Sequence, residues 1–522
     1  MPATFRPVLN YCSNPSKAII IMKKYIIPFM ALTLLTTSCS DWLDVRGENI
    51  QKEQDQFYNY KGFRDALTGC YMTMGSTNIY GEKLTMTDIE NLAGLWNCDD
   101  NEESIPLQYA LTNHQYTKDK AREAIKAIYG GLFKTISSAN VLLKNLDEKG
   151  GNIPSAQNRD MIAGEAYAIR AYCQLDVLRL FGQMPKNGTK TVSLPYSYTT
   201  NIGDMPTYYD YAAYVQNLTS DIEKAESLLK SSDPVMKSSF SNLNTTSSVT
   251  QDDFLNFRQS RLNYWAVRAL HARMALYIGK TDEAHRIAVE IINATNSDGT
   301  PVIQLSGIKD LRNGYNALPG ETLFYLSKYD VNTYANKLLI GGLSTQARNF
   351  HYLLSDTRLN ELFASIPGAT ASHNRYMNLW NRTLKNPLSQ PFAGLKKYWF
   401  DESKASASQL MTSLQIVPML RLSEVYLIAM ETSQSLDEIL SLYKTYMTDR
   451  EYTLYTPFKS IDEAKTEMLN EIRRELIGEG QMFYAYKRLG LKTIKWSEKQ
   501  MADDDYILPL PSSEYNPNPT KK

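Results

Sequence analysis

Apolar residues recur at the i, i+3, i+4, i+7 spacing of a helix face along much of the chain. That spacing predicts helices over residues 57–74, 121–146, 159–181 and 208–230, then an adjoining pair over 261–278 and 282–292. Residues 159–181 carry the clearest pattern. Ile162, Ala166, Ile169, Cys173, Val177 and Leu180 form one stripe, and Tyr167, Ala171, Leu175 and Leu178 a second. Two stripes imply a helix covered on two sides, stopped by Gly182 and Pro185. The pair is joined only by Gly279-Lys280-Thr281, a glycine end followed by a start with Asp282 and Glu283 in the first turn, where they favour the helix dipole. Ala269, Ala272, Ala275, Ala284 and Ala288 let its two backbones approach. Such pairs are the unit of tetratricopeptide-type arrays, in which stacking makes the core. No strict repeat period is present, so the array is expected to be irregular.

The pattern breaks over residues 75–113 and again over 293–415, both rich in aromatics, with a Ser/Thr/Asn-rich loop at 231–250. Segments this long without regular structure are functional or disordered in most folds. A short strand is expected at 323–326, and helices resume near Met419. Ser435 with Glu438 and Ser460 with Glu463 have capping-box spacing and are expected to open two more helices. The closing segment, from Tyr506, holds too many prolines for a helix. The fold class expected is mostly α: an irregular array of tetratricopeptide-like helix pairs with long ligand-binding loops and little β.

At the start of the chain the pattern is different. Lys23 and Lys24 precede an apolar run over 25–35, and the small residues Thr36, Thr37 and Ser38 stand before Cys39. That order predicts a bacterial secretory signal at 22–38, and the run is about half the roughly 20 residues a transmembrane helix needs. Small residues against a cysteine point to the lipoprotein variant, with Cys39 acylated. More than one acyl chain at about 0.8 kcal/mol per methylene anchors a protein stably to a membrane. Thr36 departs from the leucine common at its position. Residues 1–21 fit no signal and read as a mis-assigned upstream segment, with Met22 the start; residues 39–56 are polar and read as a tether.

Lys+Arg and Asp+Glu both number 56, a balance that gives no reason to expect a nucleic-acid partner or an acidic lipid surface. Three cysteines follow Cys39, namely Cys70, Cys98 and Cys173, neither a disulfide framework nor a zinc pattern. Tyrosine is abundant at 35 residues and suits half-wet surfaces, though helical-repeat packing uses it too.

No spacing marks a catalytic or metal centre. Gly279-Lys280-Thr281 ends like a phosphate loop, but Met274 stands where the first glycine is required and no strand precedes it. His114, His271, His285, His351 and His373 never fall at metal-ligand spacing. Asp99, Asp100, Glu102 and Glu103, with Asn101, could hold a calcium ion through oxygen ligands, but the cluster lacks a calcium-loop spacing, so no cofactor is expected. Arg170, Asp176, Arg179, Arg268, Arg421, Glu424, Arg473 and Glu475 read as ion pairs at the edges of packed helix pairs. The candidates for ligand binding are Trp96, Asn97, Trp380 and Trp399, which stand away from the helical stripes. A sugar ring lays its apolar face on an indole while its hydroxyls take hydrogen bonds from Asn, Asp, Arg or Lys, the mixture found in pockets. The alternative is that these tryptophans pin long loops to the helices.

Laid out in order, several segments resemble the SusD/RagB family of Bacteroidetes outer-membrane lipoproteins. They are CSDWLD at the lipid-bearing cysteine, IYGGLFKTISSANVLLKNLD, GEAYAIRAYCQLDVLRLFGQMP, ALHARMALYIGKTDEAHRIA, VPMLRLSEVYLIAMET, IRRELIGEGQMFYAYKRLG and ILPLPSSEYNPNP. Ala485 stands where that family usually carries Asp, and Gln481 where His or Arg is common. The resemblance implies a single SusD-like helical domain over 57–522, with halves at about 57–250 and 251–522. It also implies a non-enzymatic binding subunit at the outer membrane, facing the cell exterior, that hands an oligosaccharide, or in some relatives a peptide, to a partner TonB-dependent (SusC-like) transporter. Binding residues vary across the family, so none is carried over. A surface glycoside hydrolase and a scaffold that binds only protein are the competing readings.

Overall fold

Four long helices build the first half of the core. In the computed structural model the residues described are 53–98, 105–201, 204–244, 252–340, 352–385, 389–452 and 457–515. Cys39 and the expected signal, together with Asp99, Asp100, Asn101, Glu102, Glu103 and His351, lie outside them. Residues Gln56–Lys522 form one unit and Met1–Asp55 another.

The four are α1 (Tyr60–Met74), α2 (Asp119–Lys149), α3 (Ala156–Phe181) and α4 (Tyr211–Ser232). Local chemistry sets where α1, α3 and α4 begin. Asn59 Oδ1 accepts from Gly62 N at 3.1 Å, Ser155 Oγ from Asn158 N at 3.2 Å and Asp210 Oδ1 from Ala213 N at 2.8 Å. Each satisfies an amide that the first turn leaves without a helical partner. Helix α3 is the hub, packed against α1, α2 and α4, and every residue from Ala168 to Phe181 is buried.

Helices α5 (Tyr264–Tyr277) and α6 (Thr281–Ile292) form the expected tight pair, with Gly279 at φ +83° turning the chain and all five alanines buried. Further pairs follow: α7 (Leu422–Thr432), α8 (Leu436–Asp449), α9 (Ile461–Glu475) and α10 (Met482–Leu489), with α6 packed on α7 and α7 on α9. Ser435 and Ser460 do cap α8 and α9, accepting from Glu438 N at 3.3 Å and Glu463 N at 3.1 Å. The return half of the box is missing, because Glu463 takes Lys459 N instead and Glu438 takes the Ser433 hydroxyl. Among the described residues no helix is long and apolar enough to cross a membrane.

Three expectations are corrected. The described part of residues 75–113 is packed rather than irregular: Ile79, Tyr80, Leu84, Met86, Ile89, Leu92 and Leu95 are all buried, and short helices form at Asp88–Leu92 and Pro106–Thr112. The second irregular region contains the short strand expected at 323–326 and a few further short strands. Strands β1 (Thr322–Ser327), β2 (Trp380–Lys385), β3 (Pro391–Leu395) and β4 (Ile416–Arg421) are antiparallel, β1 with β4 and β2 with β3, whose other edge takes Leu354–Ser355. Chain near Met419 is therefore strand, and α7 starts only after Arg421. All six residues of β4 are buried, which leaves no polar face for an amphipathic helix and suits a covered strand.

The third correction concerns the charges. Most of them lie inside the fold rather than at helix edges, whereas Arg268 does bridge helix edges, to the partly exposed Glu226 and Glu290, and Glu424 is half-buried. Arg170 reaches Asp221 at 2.7 Å, Arg258 reaches Glu165 at 2.5 Å, and Arg179 pairs with Asp176, all buried. The densest group joins Arg421 to Glu321, Glu475 and Glu479, each at 2.7 Å, with Arg450 and Arg375 also on Glu475. Burial alone would raise the Glu475 carboxyl, but Arg450, Arg421 and Arg375 hold it well below the ordinary range. Charges so placed are tolerable because each meets several partners, and removing one strands the rest.

Candidate functional site

The site grows from this charge cluster. After β3 come Lys396, Lys397, Tyr398 and Trp399, and the middle two turn inward. Lys397 Nζ donates to Glu479 Oε1 at 2.6 Å and to the Glu475 carbonyl at 2.9 Å, while the Tyr398 hydroxyl donates to the Gly478 carbonyl at 2.6 Å. Trp399 N closes a turn on the Lys396 carbonyl at 2.9 Å. Asn316 Nδ2 clamps it, donating to the carbonyls of Lys396 at 3.1 Å and Trp399 at 3.0 Å. With the inner pair anchored, Lys396 and Trp399 are left half-buried, lining a cleft of about 360 Å³ together with Tyr315, Asn313, Asn378 and Gln409.

This volume lies within the roughly 300–1,000 Å³ of ligand pockets, and the lining has the required mixture of flat apolar surface and polar groups. Gln409 is fixed by its cap, its Oε1 accepting from Ser406 N at 2.9 Å, and its Nε2 donates to the Tyr315 hydroxyl at 2.8 Å. The Tyr315 hydroxyl thus keeps its proton for another acceptor. Among the described residues Asp401 is the one carboxylate lining the cleft. It accepts from Ser403 Oγ at 2.6 Å and lies 3.1 Å from Lys404 Nζ, contacts that hold it below its ordinary range. Lys396 differs from Lys397 in having no carboxylate among the described residues acting on it, and burial lowers its pKa.

Of the four residues singled out for ligand binding, one lines this cleft. Trp96 is 0% exposed and its indole donates to the Met86 carbonyl at 2.8 Å, so it offers no face to a ring. Trp380 is 4% exposed at the start of β2. Asn97 ties two loops together, its amide donating to the Leu353 carbonyl at 2.9 Å and its Oδ1 accepting from Ser355 N at 3.1 Å. Trp399 alone is half-buried at the cleft wall. Asn316, Lys396 and Gln409 carried no periodic signal. The turn tetrad Asn313-Gly314-Tyr315-Asn316, small polar residues around an aromatic, was the one sign in the sequence of this side of the site.

Two other hollows fit a sugar less well. A groove of about 820 Å³ at residues 237–244 and 296–310 is lined largely by Ser, Asn and Thr, with Phe240 the one aromatic ring among the described residues. A hollow of about 50 Å³ beside Tyr277 and Tyr484 is the size of a few waters. Among the described residues no group of three or more His, Cys, Asp or Glu is placed to hold a metal ion. His114 and His373 are buried, and His271 and His285 lie against Glu226 and Glu438.

No family model matches the chain. A SusD-like protein of Formosa agariphila is 28% identical over 167 residues, a match that spans 31% of this chain and 31% of that relative. A SusD superfamily protein from Bacteroides thetaiotaomicron shares the architecture at a TM-score of 0.63 and 20% identity, over 88% of this chain and 98% of that one. A laminarin-binding SusD-like protein does so at a TM-score of 0.62 and 17% identity, over 88% and 97%.

Proposed function

We propose that this chain, a SusD-superfamily protein by its fold, is a cell-surface nutrient-binding lipoprotein. Its acylated Cys39 anchors it at the outer membrane, and it captures an oligosaccharide or polysaccharide for import through a partner TonB-dependent transporter. The observation that carries the reading is the cleft at Trp399, where an indole, a phenol and several amides meet with a turn held rigid from behind. That arrangement suits stacking with hydrogen bonding. It suits hydrolysis poorly, because glycosidases use two carboxylates across the scissile bond and, among the described residues, Asp401 is the one carboxylate that lines this cleft. The laminarin-binding neighbour and the SusD-like relative support a carbohydrate ligand.

The test is isothermal titration of the mature protein against a panel of polysaccharides, with Trp399→Ala in parallel. Saturable binding lost in the variant, without release of shorter sugars, is expected. Released product would overturn the binding role in favour of an enzyme. Mass analysis of the mature chain for an acylated Cys39, and recovery of a transporter with the protein from outer membranes, test the anchor and the partner.

A further inference from the structure

Two consecutive lysines have opposite fates. Lys397 is buried and paired to Glu479 at 2.6 Å. Lys396 stands in the cleft, half-buried beside Trp399, with no carboxylate among the described residues to meet it. The one acid among the described residues lining the cleft does not serve, since Asp401 is occupied by Ser403 and Lys404. The chain as a whole carries no net charge, with 56 cations and 56 anions, so the excess of positive charge here is local and not the edge of a basic surface.

We propose that the Trp399 cleft takes an acidic glycan, one bearing uronate or sulfate groups, with Lys396 as the cation that meets the anion. The inference rests on the glycan-capture reading above and narrows its ligand class. A ring lying on the Trp399 indole presents its carboxylate or sulfate at its edge, where an ammonium on a flexible four-carbon stem can follow it as a point charge with three donors. Partial removal of Lys396 from water already disfavours its charged form, as the lowered pKa shows. An anion arriving at that position supplies the compensation the protein itself withholds.

The experiment is titration calorimetry of the mature protein in three arms. They are oligogalacturonate against its methyl ester, sulfated carrageenan oligosaccharide against its desulfated form, and neutral laminari-oligosaccharide. At least one acidic form is expected to bind tenfold or more tightly than its neutralised counterpart, and to weaken as salt rises. Lys396→Met, which keeps the stem, should remove that difference, and Lys396→Arg should restore most of it. The arm that responds tells uronate from sulfate. Tight binding of a neutral sugar that is lost in Trp399→Ala but unchanged in Lys396→Met would overturn the acidic class and leave glycan capture standing. Binding to none of the sugars would overturn both.

Discussion

Lys397 Nζ lies 2.6 Å from Glu479 Oε1, and that pair fixes from the inside the turn whose outer side is the cleft. Glu479 also takes both Nε and Nη2 of Arg421, at 2.9 and 2.7 Å, so the turn is tied to the centre of the buried charge cluster. The ligand wall is thereby held by the core rather than by its own loop.

Breaking this tie is expected to cost stability. Lys397→Met leaves the Glu479 carboxylate short of a cation in a dry site, and losses of about 3–5 kcal/mol are typical of a broken buried pair. Chemical denaturation read by circular dichroism should show this shift, with Lys396→Met changing the midpoint little.

The tryptophans should divide in the same way. Trp96→Ala removes a ring that is 0% exposed and is expected to destabilise by about 3–5 kcal/mol. Trp399→Ala should cost clearly less in the same denaturation curves, yet weaken glycan binding tenfold or more, each tenfold being about 1.4 kcal/mol.

His114 makes the fold sensitive to acid. Burial pushes its pKa down to about 4. Its Nε2 lies 3.0 Å from the Leu92 carbonyl and its Nδ1 has no partner, so the neutral ring fits and a second proton finds no acceptor. Above the unfolded value of about 6.5 both states are neutral there and the full stability is present. As pH falls from 6.5 towards 4 only the unfolded chain takes up the proton, and up to about 3 kcal/mol is lost. Urea midpoints between pH 7 and 4 should fall more steeply in the parent protein than in His114→Phe.

Glu90 acts in the opposite direction. Its Oε1 accepts from Gly478 N at 2.7 Å and Gly480 N at 3.0 Å, while burial raises its pKa to about 8. Below the unfolded value near 4.5 both states hold the proton. As pH rises from there to 8 the unfolded chain releases it first, and up to about 5 kcal/mol of stability is lost. Glu90→Gln keeps the accepting oxygen without the titration. It is expected to match the parent near pH 4 and to exceed it increasingly up to pH 8, measured by thermal melts.

How much of this was legible follows from the range of each signal. Helix α3 and the α5–α6 pair were written locally, in stripes and a glycine, and they formed as spaced. Strand β4 was not, because six buried residues in a row carry no period, and only pairing with β1 distinguishes a strand from a helix start. Trp96 and Trp399 look alike in the sequence, each an indole in an aperiodic stretch. Their difference arises from what packs over them.

By itself the sequence determined the helical class, the positions of the long helices, the kinship its ordered segments suggested, and a short set of aromatics worth testing. Tertiary structure alone decided which tryptophan reaches the cleft, which of two neighbouring lysines is neutralised, and that most of the helical charges lie buried. The physical reason is distance along the chain. Helical spacing is set by neighbours three and four residues away, whereas the environments of Lys396 and Lys397 are made by residues such as Asn316 and Glu479, some 80 positions distant.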